Sequence, residues 1–378
     1  MTTSPTFNNS YLVTNRADPT TIFTDSRTYV VPLPSGGLSY YVSDAPYDQD
    51  SDNYASVQSE SDFLTPLLAD LQKTAGSNGP ANLALYIHGL AVTFDDAISE
   101  TAAFGSALAS PGGYNGLLIG FDWPSYGELV GPLPSYYATS RPPQNTSGTI
   151  RDNINGSTAA FVSLLQALLA IRINNQPLNL NLITHSEGNF MLLLGMMALQ
   201  QANVSSGVNN ALMLAADISA AMLQQGQWGD AITTICNQTT VYYSGCDPDV
   251  AFSDYEFFAF HDQAYPTRLG LIGPYGYPAA NAVPKNVVGI DCAQVTVDLG
   301  SQLDVHSSYR SLPQVLVDLS LTMNSANPVY TGRKLYPGAT VPSYYLDPSV
   351  NQIIGRAPQQ GIYRRRRLGQ RQLQALRL

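Results

Sequence analysis

From residue 81 onward, short strand-like runs alternate with helix-like stretches. Residues 83–87 and 117–121 are apolar without polar alternation, as strands buried on both faces should be. Further strand-like runs lie at 178–183, 211–215, 239–243, 286–290 and 295–299. Helical periodicity fills 62–74, 94–109, 150–171, 189–201 and 311–323, and 220–235 reads as a helix broken near Gly226 and Gly229. Thr93 is placed to cap the helix that opens with Phe94, ahead of Asp95 and Asp96. Such alternation favours right-handed crossovers, so the expected class is α/β: a mostly parallel, doubly wound sheet with helices on both faces. Ahead of it, residues 1–60 carry strand-like pieces at 11–14, 28–32 and 38–42. Beyond about residue 327 Pro and Tyr become frequent and periodicity fades. We therefore expect one domain over 1–326 and a C-terminal extension over 327–378.

Within this pattern, Ser186 stands where a strand-like run meets a helix-like one, in Ile183-Thr184-His185-Ser186-Glu187-Gly188-Asn189. That is the context of a sharp turn that lifts a serine hydroxyl above a sheet edge. Neighbours two positions away should be small. Gly188 meets the requirement, whereas Thr184 crowds the turn more than glycine would. Glu187 is a second departure: a carboxylate turned toward the serine would oppose negative charge building up there.

The bulk composition narrows the partners. Net charge is −10. Arg364, Arg365, Arg366, Arg367, Arg371 and Arg377 lie in the tail, and no acidic residue follows Asp347, so the body is more acidic still. An acidic body argues against nucleic acid as the main partner. The tail, with Leu368, Leu373, Leu376 and Leu378 on one side, is suited to a membrane surface or an acidic partner; the plainer reading is a disordered end. No run is long and apolar enough to span a bilayer. Met1 to Ser10 lacks the basic start and apolar core of a signal peptide, so a cytoplasmic site is the default, though leaderless export would leave no trace. Cys236, Cys246 and Cys292 are too scattered for a zinc site, and three free thiols fit better than a Cys236–Cys246 bridge.

A serine needs a base. The sequence has four histidines. His185 adjoins Ser186 and its side chain is expected to point elsewhere; His88, after the first buried run, is expected to shape a loop. His306 follows the 295–299 run, and ligands gather at the carboxyl ends of strands, so it is preferred over His261. The acid that fixes the histidine tautomer has three candidates downstream of Ser186: Asp217, Asp247 and its neighbour Asp249. Oxyanion donors would be the backbone N–H of Glu187 and that of Leu90 or Ala91, where Gly89 permits close approach.

Taken in order, these segments resemble a bacterial α/β-hydrolase family that carries a provisional "unknown function" name. Tyr11-Leu12-Val13-Thr14-Asn15-Arg16 is similar to its opening strand. Ile87-His88-Gly89 with Phe94-Asp95-Asp96-Ala97 is similar to its oxyanion loop and following helix. Phe121-Asp122-Trp123-Pro124-Ser125, His185-Ser186-Glu187-Gly188-Asn189, Ala215-Ala216-Asp217, Tyr242-Tyr243-Ser244 to Asp247, and His306-Ser307-Ser308-Tyr309 follow in register. The resemblance runs from about residue 11 to 319. It implies Ser186 as nucleophile, Asp247 as acid and His306 as base of a serine esterase or lipase-like enzyme acting on a small-molecule or lipid ester, with no metal or organic cofactor. Thr184, Glu187 and everything after 327 depart from the family pattern.

A non-catalytic binding or surface protein of the same fold remains the rival reading, favoured by Thr184 and a Tyr/Asn/Gln-rich surface. Acyl transfer would use the same residues as hydrolysis. The long Tyr- and Pro-rich stretch 123–149 could roof an acyl pocket, since loops of that length are usually functional or disordered. Deleting its tip should alter preference along an ester chain-length series; an unaltered series would exclude a roofing role.

Overall fold

The computed structural model describes residues 7–17, 37–75, 79–90, 92–125, 150–253, 268–276, 282–296, 305–324, 332–337 and 339–348. The expected strand at 28–32, Ala91, His261, the 126–149 part of the long loop and the arginine-rich tail lie outside them.

The centre of the fold is the strand β4 (Asn82–Ile87). Leu83, Leu85 and Ile87 point into one core cluster, and Ala84 and Tyr86 into another. Both faces of the strand are covered, which is why its sequence shows no alternation. On one face pack Phe63, Leu67 and Leu71 of α1 (Glu60–Thr74), with Phe161, Leu165 and Leu168 of α3 (Ile150–Ala170). Phe104 and Leu108 of α2 (Phe94–Ala109) cover the other. The α2 start is the expected one: Thr93 and Asp96 form a reciprocal capping box.

Nearest β4 lie β5 (Leu117–Asp122) on one side and β8 (Asn179–His185) on the other, both parallel to it. Outward from β5 come β1 (Ser10–Thr14), β2 (Ser39–Ser43) and β3 (Ala55–Val57). Between α3 and β8 the pieces β6 (Arg172–Ile173) and β7 (Gln176–Pro177) form a separate small hairpin. Outward from β8 lie β9 (Val208–Leu214), β10 (Cys236–Tyr243) and β11 (Val287–Asp291). Then come β13 (Ser343–Leu346) and β12 (Arg333–Leu335). The sheet has 11 strands, and every neighbouring pair from β13 to β1 is parallel. The chain passes from β4 to β5 on one side and returns to β8 on the other. The carboxyl ends of strands beside such a reversal, here those of β4 and β8, are where α/β sheets bind ligands.

One expectation changes. Of residues 295–299, expected as a strand, Val295 and Thr296 belong to the helical turn Ala293–Thr296, and 297–299 lie outside the described residues. The Asp291 carboxylate accepts from Ala293 N–H at 2.8 Å and starts that turn directly after β11. The C-terminal extension supplies β12 and β13 to the sheet. The buried pair Arg333–Asp318 ties this addition to the helix Pro313–Met323, and Tyr242 Oη donates to the same aspartate at 2.7 Å. The cysteines among the described residues are free thiols.

At the carboxyl edge of the sheet, β1, β4 and β5 converge on Asp122, which is fully buried. Its carboxylate accepts from Thr14 Oγ1 at 2.7 Å, from Arg16 Nε at 2.6 Å and from Arg16 Nη2 at 2.7 Å, and lies 2.9 Å from His88 Nε2. Burial alone would raise its pKa, but Arg16 and His88 outweigh that and hold it below the ordinary carboxylate value. The resulting stability is present at neutral pH and is lost as pH falls through the depressed pKa. Arg16→Ala would leave a buried carboxylate without its main partner. The expected loss is about 3–5 kcal/mol, read as a lowered urea midpoint. An unchanged midpoint would show that Asp122 does not depend on Arg16.

Candidate functional site

Ser186 follows β8 directly and precedes the helix α4 (Gly188–Gln201). Its φ is 54°, a left-handed conformation that costs a non-glycine residue on the order of 1–3 kcal/mol. The surrounding bonds hold it there. Ser186 N–H donates to Leu214 O of β9 at 3.0 Å, while Ser186 O accepts from Asn189 N and from Asp217 N. Asn189 also closes the turn with its side chain: Nδ2 donates to Ser186 O at 2.9 Å, and Oδ1 accepts from Thr184 Oγ1 at 2.6 Å. So Thr184 is accommodated, and it adds a bond across the turn that glycine could not make.

Glycine is needed elsewhere. A Cβ on Gly188 would lie 2.6 Å from His88 O and 2.7 Å from Ile87 O, and one on Gly89 would lie 2.8 Å from Ser186 Cβ. The serine turn and the end of β4 therefore touch backbone to backbone. The end of β4 is itself anchored. Trp123 Nε1 donates to His88 O at 3.0 Å, and His88 Nδ1 lies 2.9 Å from Gly89 O. The His88 ring stacks on Trp123, with centroids 5.7 Å apart. Further along, Arg16 Nη2 donates to Val92 O at 2.7 Å, and Val92 N–H donates to Ser125 Oγ at 3.0 Å. Leu90, half-buried, lies within this pinned segment. Ser186 and Glu187 are buried, with 7% and 4% of their surfaces exposed.

Of the three candidate acids, Asp247 is the one joined to His306. Its Oδ2 lies 3.0 Å and its Oδ1 3.2 Å from His306 Nδ1. Asp249 N–H and Val250 N–H also donate to Asp247 Oδ1, at 3.1 and 3.2 Å, which fixes the carboxylate before the histidine reaches it. Asp217 is engaged differently: Ser253 Oγ donates to it at 2.6 Å and Arg268 pairs with it at 3.3 Å. His306 sits in the short helix Val305–Ser308, not at a strand end as its sequence context suggested. His185 turns toward it. His185 Nε2 lies 2.7 Å from His306 O, and the two rings are 4.7 Å apart.

The two histidines are driven apart electrostatically. Burial opposes charge on His306, but Asp247 beside it, with Asp249 and Asp217 further off, raises its pKa above the ordinary value. Burial, aided by His306 and Arg310, pushes His185 well below its ordinary value. Neither the His185 contact nor the Asn189 staple was legible in the sequence, because both are set by tertiary proximity. Arg16 and Asp122 were visible as motif residues but not as one network.

A cavity of about 490 Å³ lined by Leu169, Leu178, Leu180 and Gly207 lies at the opposite, amino-terminal end of β8, away from Ser186. Among the described residues no group of His, Cys, Asp or Glu is arranged to hold a metal ion, and no helix is long and apolar enough to cross a membrane.

Sheet and crossover define an α/β-hydrolase fold. The family model "Alpha/beta hydrolase of unknown function (DUF900)" matches residues 64–323, more than half of the chain, and the protein belongs to that family. Its structure is similar to that of a hyperthermophilic esterase from the archaeon Pyrobaculum calidifontis: TM-score 0.35, 8% identity, 77% of this chain and 80% of that one covered. It is similar also to esterase Est22 (TM-score 0.29, 12% identity, 60% and 65% covered). A third likeness is to an extracellular α/β-hydrolase from a Paenibacillus species (TM-score 0.25, 15% identity, 65% and 98% covered). No curated protein matches the sequence.

Because Gly188 faces two backbone carbonyls, Gly188→Ala should lower the thermal midpoint, at a cost of about 1–3 kcal/mol. A parent-like midpoint would mean the end of β4 can retreat from the turn.

Proposed function

We propose that this α/β hydrolase cleaves carboxylic esters, with Ser186 as nucleophile, His306 as general base and Asp247 as the acid that orients it. The observation that carries this reading is the Asp247–His306 hydrogen bond, made by a histidine that touches His185, the chain neighbour of a serine held at a φ of 54°. Asp247 engages Nδ1, so Nε2 is the nitrogen that would take the serine proton. Ser186 Oγ would attack the ester carbonyl as its proton passes to His306. The oxyanion would be held by the N–H of Glu187 and that of Leu90 or Ala91. Collapse would break the bond to the alcohol, which takes the proton from His306, and leave an acyl-serine. Water, activated by the same histidine, would then release the acid and restore the serine. No metal or organic cofactor enters these steps. Acyl transfer differs only in the acceptor, so adding alcohols to the assay and identifying the products separates it from hydrolysis.

Labelling with a fluorophosphonate probe tests the nucleophile. The parent should be labelled, Ser186→Ala not at all, and His306→Ala far more slowly. A folded parent that resists the probe would count against an activated serine.

The base must be neutral to act. Because Asp247 raises the His306 pKa, kcat/KM should fall with acidification through a value above the roughly 6.5 of an ordinary imidazole. Asp247→Asn removes the strongest influence raising that pKa and disturbs the tautomer. It should move the acid limb to lower pH and reduce kcat by about four orders of magnitude. A pH profile unmoved by Asp247→Asn would assign the acid role elsewhere.

A further inference from the structure

His185 makes a contact that the proposed chemistry does not use. It is the last residue of β8 and the neighbour of Ser186, so its backbone is as fixed as the sheet itself. Its side chain is 5% exposed and reaches the backbone of His306, with Nε2 2.7 Å from the carbonyl oxygen. A carbonyl can only accept, so Nε2 carries the proton and donates. The other edge of the ring faces the end of β4: a Cβ on Gly89 would lie 3.3 Å from His185 Nδ1. The ring thus lies between the segment proposed to hold the oxyanion and the residue proposed as base.

We infer that His185 is a positioning residue, whose Nε2–H holds the backbone of His306 and sets the base relative to the adjacent Ser186. This rests on the reading of Ser186 and His306 as nucleophile and base. Asp247 grips the imidazole of His306 and His185 grips its main chain, so the side chain is fixed at both ends. Without the second grip the ring could pivot about the Asp247 bond and lose its distance to the serine. Displacements of about 1 Å at such sites cost on the order of 100-fold in rate. Charge supports the same assignment. Burial and the nearby His306 and Arg310 keep His185 neutral. When His306 takes the serine proton, the ring 4.7 Å away does not repel it.

The test is the rate of fluorophosphonate labelling of the full chain, for the parent, His185→Leu and His185→Gln, each alone and combined with His306→Ala. The leucine variant fills similar space without a donor and should label roughly 10- to 100-fold more slowly than the parent. The glutamine variant can present an amide N–H to the same carbonyl and should recover most of the rate. In the His306→Ala background, His185→Leu should cause no further loss, because a residue acting through His306 has nothing left to position. If the leucine variant does not fold, judged by circular dichroism, His185→Asn takes its place; its amide stops one methylene short. A folded leucine or asparagine variant that labels at the parent rate overturns the inference while leaving Ser186 as nucleophile. So does an equal loss with and without His306. A parent that shows no Ser186-dependent labelling overturns the nucleophile reading and this inference together.

Discussion

The buried carboxylate of Asp122 is the interaction on which the upper edge of the sheet depends. It collects Thr14 and Arg16 from the end of β1 and His88 from the end of β4, and it is itself the last residue of β5. A charge in that position is tolerable only when several donors converge on it. Their convergence fixes three chain segments that are far apart in sequence. Arg16 reaches on to Val92 O and Trp123 O, and Trp123 reaches back to His88 O. The segment after β4 is thereby held by side chains that follow β1 and β5. It can then present backbone at close range to the serine turn without closing over it. The hydrophobic core sets the sheet, and this polar cluster sets its working edge.

Beside that edge, the environment separates two neighbouring histidines, one buried and one half-buried. His306 faces carboxylates and is favoured as a cation; His185 faces positive neighbours and stays neutral. Groups driven apart in this way are candidates for distinct roles in acid–base work. The consequence for pH is a tension. A raised histidine pKa contributes stability fully below the unfolded value and loses it as pH rises through the folded value. The proposed chemistry needs the neutral form. The His306–Asp247 pair therefore stabilises the fold least where the base is ready to act.

Much of this architecture was legible in the sequence because it follows from period and order. The unbroken apolar runs at 83–87 and 117–121 are strands buried on both faces, and the Thr93 cap stands where a helix had to begin. Asp247 and His306 were named from chain order and local context, with Asp217 and Asp249 as alternatives, and the structure joins Asp247 to His306 by a hydrogen bond. Other features carried no periodic signal. Val295 and Thr296 look like the start of a strand, yet the Asp291 side chain starts a helical turn that takes them in. Strands as short as β12 and β13 are too brief to alternate visibly. Thr184 looked like a defect because sequence shows the size of a side chain and not its bond to Asn189.

The way the sheet is finished has its own consequence. β13 lies along β11, and Arg333 neutralises the fully buried Asp318. A chain cut at residue 326 would keep every residue proposed for the site and still lose this flank. β11 would present a bare row of N–H and C=O groups, and Asp318 would lose its counter-ion. Exposed strand edges recruit other strands. Such a shortened chain would keep its proposed site and be adhesive where it ends, and it would fail by self-association.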